Sequence, residues 1–233
     1  MAKTKTKQDE GIEILEDPDM LASKAEEFLS NKRNKNLVFG IGGVIAVVVA
    51  AFFVYQFYIT NQNKEAQEEM FQAVFYFEAD SLGQALNGDG NNLGFLDIIS
   101  DYSGTEAANL ANFYAGTTYM QLGDYSNAVR YLSDFSSSDY LLQARAYSLT
   151  GDAYMEQGDY SNAASFYQQA ADYKPNAEFT PIYLQKLAVA QEKQGNYAAA
   201  ASSYGLIVDE YKDSSLLQEA KKQKARLEGL AAQ

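Results

Sequence analysis

One short motif occurs three times in the second half of the chain, and it restricts the possible fold more than any other feature. Residues 123–128 are Gly-Asp-Tyr-Ser-Asn-Ala, residues 158–163 repeat that sequence unchanged, and residues 195–200 are Gly-Asn-Tyr-Ala-Ala-Ala. The copies begin 35 and then 37 residues apart. Such a period is typical of helix–turn–helix units that stack into a solenoid, since one unit cannot bury its apolar face alone. The sequence therefore predicts an all-α repeat array.

Each copy of the motif has the chemistry of a turn between two helices. Its glycine can adopt the left-handed conformation that ends a first helix, and the Asp or Asn that follows is a good N-cap for a second helix. The tyrosine then covers the turn, and the alanine is small where the two helices cross closely. These residues are Gly123, Asp124, Tyr125 and Ala128, then Gly158, Asp159, Tyr160 and Ala163, then Gly195, Asn196, Tyr197 and Ala200.

The three units resemble tetratricopeptide repeats. The middle copy has the family's residue types at Gly151, Tyr154, Gly158, Tyr160, Ala163, Tyr167, Ala170 and Pro175. The first copy has Gly116, Tyr119, Tyr125 and Ala128 but lacks the terminal proline, and the third has Ala188 and Gln191 in place of the small glycine and the aromatic. The resemblance implies an α-solenoid that binds other proteins. It specifies the fold more closely than the function, because this scaffold serves many partners.

A second feature is an uncharged run of 23 residues, 37–59, in which Gln56 is the only strongly polar side chain. As an α-helix this run is about 34 Å long, enough to cross a hydrocarbon core of roughly 30 Å. It follows 36 other residues and ends in bulky aromatics, so it differs from a cleaved signal peptide. We therefore expect a single transmembrane helix that stays attached to the protein.

The charges around this run predict its orientation. Acidic residues outnumber basic ones after it, whereas four cations lie just before it: Lys24, Lys32, Arg33 and Lys35. By the positive-inside rule, residues 1–36 form a cytoplasmic tail and residues 60–233 form an exported domain. Within the span, small residues recur at four-residue spacing and permit close contact with another membrane helix, although Gly and Ala are also frequent in such helices generally. They are Gly42, Ala46 and Ala50.

The cytoplasmic tail contains a short amphipathic pattern next to the membrane. A helix start is predicted at Asp17-Pro18, with Asp17 as the N-cap and the proline in the first turn. Apolar side chains then recur at helical spacing, at Leu21, Ala25, Phe28 and Leu29. We expect this helix either to dock on the cytoplasmic face of a partner or to rest at the lipid interface.

Composition excludes most catalytic chemistry. The chain has no Cys and no His, so disulfides, zinc–thiolate sites and thiol nucleophiles are absent, and the commonest general base and metal ligand are missing. Its net charge of −13 makes nucleic-acid binding very unfavourable. The loop 87–92 alternates oxygen-bearing side chains as calcium loops do, but Asn92 stands where such a loop needs Gly and Ile98 where it needs Glu. We predict no enzyme activity, no cofactor and no metal site.

The two ends of the exported domain complete the array. Residues 65–80 and 93–102 are expected to form helices of a degenerate first repeat. A final helix has apolar residues on one side, which suits the cap that a solenoid needs. The apolar side carries Leu216, Leu217, Ala220, Leu227 and Leu230, and the remainder carries Lys221, Lys222, Lys224 and Arg226. The basic residues alternatively form a contact site for an acidic partner.

By the register of the repeats, the first helix of each unit lines an inner groove. Its predicted lining, here called the candidate groove, comprises Leu110, Phe113, Thr117 and Met120; Arg145, Ser148, Asp152 and Met155; and Ile182, Gln185, Val189 and Glu192. Some family members bind a C-terminal carboxylate there with Lys and Asn, but this chain has Asp152 and Val189 at two of those positions. A mixed groove suits adaptable contact with apolar segments, unless several of these residues pack inside the array.

In overall layout, the chain resembles the YfgM-like ancillary subunits of the bacterial Sec translocon. This resemblance implies a single-pass protein of the inner membrane with a periplasmic repeat domain. It also implies two partners, the Sec translocon and a membrane-anchored periplasmic chaperone, and a role in handling unfolded exported proteins. The alternative function is a structural scaffold or tether for another complex of the cell envelope.

Overall fold

The computed structural model describes residues 18–232, and all regular structure in that range is helical. The predicted all-α class is therefore confirmed. The helices are α1 (Pro18–Ser30), α2 (Lys32–Glu78), α3 (Leu82–Asn87), α4 (Phe95–Asp101), α5 (Glu106–Leu122), α6 (Tyr125–Asp134), α7 (Tyr140–Glu156), α8 (Tyr160–Asp172), α9 (Thr180–Lys193), α10 (Tyr197–Glu210) and α11 (Leu217–Ala231). The chain divides into two units, Met1–Tyr58 and Ile59–Gln233.

In the first unit, α1 lies where the short amphipathic helix was predicted. Helix α1 begins at Pro18, while the predicted N-cap Asp17 lies outside the described residues. Among the described helices, α2 is long and apolar enough to cross a membrane, and none of its most apolar stretch is buried. It begins before residue 37 and continues to Glu78 without a break at residue 59. The side of α2 at Gly42 is open, and the predicted intramembrane contact at Gly42, Ala46 and Ala50 stays a prediction.

The second unit begins with a cluster of buried apolar side chains, at the position expected for the degenerate first repeat. Helix α2 contributes Met70 and Ala73 to this cluster, and α4 contributes Phe95 and Ile98, all buried. The ring of Phe95 stacks on Tyr114 of α5, with ring centroids 5.2 Å apart. The segment predicted as a helix at residues 65–80 is the last part of α2, which ends at Glu78, and the helix predicted at 93–102 is α4, with slightly shorter bounds. The six-residue helix α3 was not predicted.

The loop between α3 and α4 is held by the carboxylate of Asp89. One oxygen accepts hydrogen bonds from the backbone N–H groups of Asn91 and Asn92, at 2.8 and 2.7 Å, and the other accepts one from the Tyr76 hydroxyl at 2.7 Å. The Tyr76 hydroxyl bond is the largest cause that holds the pKa of Asp89 well below its usual range, followed by the two backbone bonds. Asp89, one of the loop residues that resemble calcium ligands, therefore ties the loop to α2 through Tyr76.

We expect Tyr76→Phe to reduce the stability of the protein less at acid pH than at neutral pH. Because the folded pKa of Asp89 is depressed, its stabilising effect is complete above the ordinary pKa of 3.8 and is lost as the pH falls below it. Thermal unfolding followed by circular dichroism should show a difference in midpoint temperature between wild type and variant that becomes smaller below about pH 4. Tyr140→Phe, at an exposed tyrosine, is the control. A difference in midpoint temperature that stays constant with pH contradicts a stabilising bond from Tyr76 to the ionised carboxylate of Asp89.

Three helix pairs follow, α5–α6, α7–α8 and α9–α10, joined by the predicted turns. Gly123, Gly158 and Gly195 have φ of 75°, 75° and 76°, in the left-handed region. The next residue caps the second helix each time, since the side chains of Asp124, Asp159 and Asn196 accept hydrogen bonds from backbone N–H groups three residues on. The motif alanines Ala128, Ala163 and Ala200 are fully buried. Turn chemistry and close helix crossing are thus confirmed.

The last helix, α11, covers the end of the array. Ala220 and Leu227 are buried in the same cluster as Tyr204 and Ile207 of α10. The stem of Lys224 lies on Gly205, where a built Cβ would meet Lys224 Cε at 3.7 Å. Helix α11 therefore buries the apolar side of α10, as a terminal capping helix must.

Candidate protein-binding groove

The structure divides the candidate groove into buried, partly buried and exposed residues. Phe113 and Ser148 are buried, with 8% and 4% of their surface exposed. Arg145, Ile182 and Val189 are exposed. Intermediate exposure is found for Leu110, Thr117, Met120, Asp152, Met155, Gln185 and Glu192. The open part of the candidate groove therefore lies on α7 and α9 rather than on α5.

Phe113 packs between repeats instead of lining the groove surface. Its ring centroid lies 5.3 Å from that of Phe135, and both belong to one cluster with Leu132 and Ala146. Leu110 and Met120 pack against the same cluster. The candidate-groove residues Leu110, Phe113 and Met120 on α5 therefore pack within the array. Phe113 fills the space next to α6, the second helix of its own repeat, and α7, the first helix of the next repeat.

The centre of the candidate groove contains a polar network that sequence reasoning did not identify. The Lys186 ammonium donates to both carboxylate oxygens of Asp152, at 2.9 and 2.7 Å, and to the hydroxyl of Ser148 at 3.2 Å. The Tyr167 hydroxyl donates to Asp152 at 2.6 Å. Burial, and then the bond to Asp152, raise the pKa of Tyr167. Asp152 is therefore occupied by groups of its own chain.

A second charge of the candidate groove is also paired internally. The Arg226 guanidinium of α11 donates to the carboxylate of Glu192 at 2.6 Å. Asp152–Lys186 and Glu192–Arg226 are both separated by 34 residues, one repeat length. The sequence shows that the opposite charges lie one period apart, but whether each pair forms depends on how the repeats stack. Arg226 is one of the basic residues that alternatively form a contact site for an acidic partner, and its guanidinium is instead bound to Glu192 within the array.

The surface that remains open combines one cation with aliphatic side chains. Arg145 is exposed on α7, and Ile182 and Val189 on α9 are 41% and 37% exposed. The two carboxylates of the candidate groove are partly buried and are engaged by Lys186 and Arg226. Its third charged residue, Arg145, is exposed. Such a surface suits apolar protein segments. Among residues 18–232, no cluster of His, Cys, Asp or Glu suits a metal ion.

Comparisons with known proteins agree with the geometry of the repeats. Tetratricopeptide-repeat models match residues 115–178 and residues 183–214. A crystal structure from Podosopora anserina, described as kinesin light chain TPR-like repeats of nearly identical sequence, superimposes with a TM-score of 0.53 at 13% identity. The match covers 73% of this chain and 88% of that one, and at this identity it shows the fold alone. No curated protein matches the sequence.

Proposed function

We propose that this chain, which contains tetratricopeptide repeats at residues 115–178 and 183–214, is a membrane-anchored, non-enzymatic protein that holds other proteins close to the bilayer. The observation that carries the proposal is the position of the apolar segment, which lies on α2 directly before the repeat array. Tetratricopeptide repeats are a protein-interaction fold. An anchor next to such an array raises the local concentration of its binding surface around partners in the same membrane.

The finer proposal concerns location and partners. Cations before residue 37 favour a cytoplasmic N-terminus. With the anchor in a bacterial inner membrane, residues 60–233 then lie in the periplasm. We propose that the partners are the Sec translocon, a membrane-anchored periplasmic chaperone and unfolded exported proteins. The support is the resemblance in layout and the aliphatic open surface formed by Ile182 and Val189. The alternative is a scaffold for another envelope complex, which would use the same anchor and array without binding unfolded chains.

Photocrosslinking in intact membranes tests this proposal. A photoreactive amino acid at Ile182 probes the open surface, and one at Gln169, which is exposed on the second helix α8, is the matched control. A third probe at Gly42 tests contact with a membrane partner. We expect Ile182 to capture exported proteins during their export, Gln169 to capture far less, and Gly42 to capture a translocon subunit.

The outcomes separate the two functions. Capture of folded envelope proteins alone at Ile182, together with no translocon subunit at Gly42, contradicts the translocon role and favours the scaffold. Equal capture by Ile182 and Gln169 contradicts the assignment of the binding surface to the first helices. A chain that is extracted from membranes by alkaline carbonate contradicts the anchor itself.

A further inference from the structure

Helix α1 leaves large apolar side chains open to the surroundings. Phe28 is 52% exposed and Leu29 is 39% exposed. Ala25, one turn before Leu29, is also exposed. For a 13-residue helix this is an unfavourable arrangement in water, because isolated helices of this length are marginal and gain most stability from packing an apolar face. The helix therefore needs a surface that covers Phe28 and Leu29.

Helix α1 contains three acids, Asp19, Glu26 and Glu27, and one cation, Lys24. The acids Glu26 and Glu27 precede the exposed apolar pair, and Glu26 points roughly 200° away from Phe28 around the helix. Lys24 lies one turn before Phe28 on the same side, where its stem can follow the apolar surface while its ammonium reaches a polar layer. Three more exposed cations begin α2, namely Lys32, Arg33 and Lys35. The apolar side of α1 is thus flanked by positive charge.

The junction between α1 and α2 is built by specific hydrogen bonds. Asn31 interrupts the two helices, and its side-chain oxygen accepts a bond from the backbone N–H of Arg33 at 3.0 Å, which caps α2. The amide of Asn34 donates to the carbonyl of Phe28 at 3.1 Å, which satisfies a free carbonyl at the end of α1. This interruption allows α1 a direction of its own, different from that of the membrane-spanning helix.

The distance to the apolar run places α1 at the level of lipid headgroups. Ser30 ends α1 and residue 37 begins the uncharged run. Seven helical residues span about 10 Å, and interfacial helices bury their apolar face about 5–10 Å into the boundary between headgroups and acyl chains. A bilayer surface is therefore already within reach of Phe28 and Leu29, without a protein partner having to supply one.

We propose that α1 lies in the interface of the bilayer and binds anionic phospholipids. Phe28 and Leu29 insert below the headgroups, while Lys24, Lys32, Arg33 and Lys35 contact their phosphates; Glu26 and Glu27 face the water. The inference rests on the membrane anchoring proposed above. Anionic lipid is the occupant because its charge complements the cations that flank the apolar side, and because basic segments next to a span are attracted to a negative leaflet.

Single-cysteine labelling of the full-length chain tests this inference, and the absence of native Cys makes it direct. Ala25→Cys on the apolar side and Ser23→Cys about 200° away around the helix are nearly isosteric substitutions that form a matched pair. Each variant is labelled with an environment-sensitive fluorophore and reconstituted in phosphatidylcholine vesicles containing phosphatidylglycerol and a doxyl-lipid quencher. We expect strong quenching at position 25 and weak quenching at position 23. Labelled Val47→Cys, within the span, reports anchoring.

The electrostatic part is tested by removing either charge. In vesicles of phosphatidylcholine alone, or after Lys24, Lys32, Arg33 and Lys35 are all replaced by Gln, quenching at position 25 should fall toward that at position 23. Each cation removed weakens the attraction by about fivefold. Unchanged quenching in both cases overturns the requirement for anionic lipid.

Three other outcomes overturn the inference in distinguishable ways. Equal weak quenching at positions 25 and 23, with strong quenching at position 47, shows that the chain is anchored but that α1 stays in water. A blue-shifted but unquenched probe at position 25 shows that protein, such as a second copy of the chain, covers α1. Weak quenching at position 47 overturns the anchoring and this inference together.

Discussion

Replacing Gly116 by alanine is expected to destabilise the repeat array by about 1–3 kcal/mol. Gly116 lies on α5 where α6 crosses it, and a Cβ at this position would meet Leu132 Cγ at 2.6 Å and the Leu132 backbone nitrogen at 3.0 Å. Leu132 is buried, so its side chain has no free space to enter, and the backbone contact requires the helices to move apart. This cost exceeds the roughly 1 kcal/mol that alanine gains over glycine inside a helix.

The same substitution at Gly205 is the matched control. Gly205 also lies within a helix, α10, but a Cβ there meets Lys224 at an ordinary distance of 3.7 Å. Gly205→Ala should therefore raise the midpoint of thermal unfolding, measured by circular dichroism in detergent micelles, whereas Gly116→Ala should lower it. If both variants are stabilised, the close crossing of α5 and α6 is incorrect. Combining Gly116→Ala with Leu132→Ala should cost less than the two separate effects together, because one clash is removed.

Phe95→Ala is expected to produce the largest loss, about 3–5 kcal/mol. Phe95 is fully buried at the start of the array. Its ring stacks on Tyr114 and meets Phe77 edge to face, with centroids 5.2 and 6.4 Å apart. The substitution leaves a cavity between α2, α4 and α5, and it also removes aromatic contacts worth more than their buried area alone. Thermal and urea unfolding of the full-length chain measure the loss.

Phe75→Ala is the control for that experiment. Phe75 lies on α2 close in sequence to Phe77, but its side chain is 55% exposed. Its removal should change the stability by no more than about 0.5 kcal/mol. Equal losses for the two variants would show that the sides of α2 are assigned wrongly, with Phe75 rather than Phe77 turned toward α4 and α5.

The parts of this fold that the sequence predicted are those set by local chemistry. The left-handed glycines, the Asp and Asn caps and the small alanines recur at each turn because each turn has the same backbone requirement, whichever repeat it belongs to. The uncharged run of residues 37–59 is equally local, since length and polarity alone decide whether a helix can span a bilayer. The left-handed glycines are found at the expected positions. Residues 37–59 lie within α2, which begins before them and ends after them.

The candidate groove was predicted less well, for a physical reason. Register correctly placed its residues on the first helices, but register does not report depth. Phe113 and Arg145 occupy neighbouring helices of the predicted lining, yet Phe113 is buried against Phe135 while Arg145 is exposed. The difference arises because the space next to residue 113 depends on the residues that α6 and α7 bring there, which are distant in sequence.

The sequence by itself thus determined where the two helices of each repeat turn, how the second helix of each repeat is capped, and which segment is apolar enough for a membrane. Only the tertiary structure decided which charges are available to a partner. Asp152 is neutralised by Lys186 and Glu192 by Arg226, each from one repeat further along the chain. Such pairs depend on the stacking distance between repeats, which sets whether an ammonium or guanidinium reaches a carboxylate or leaves it to solvent.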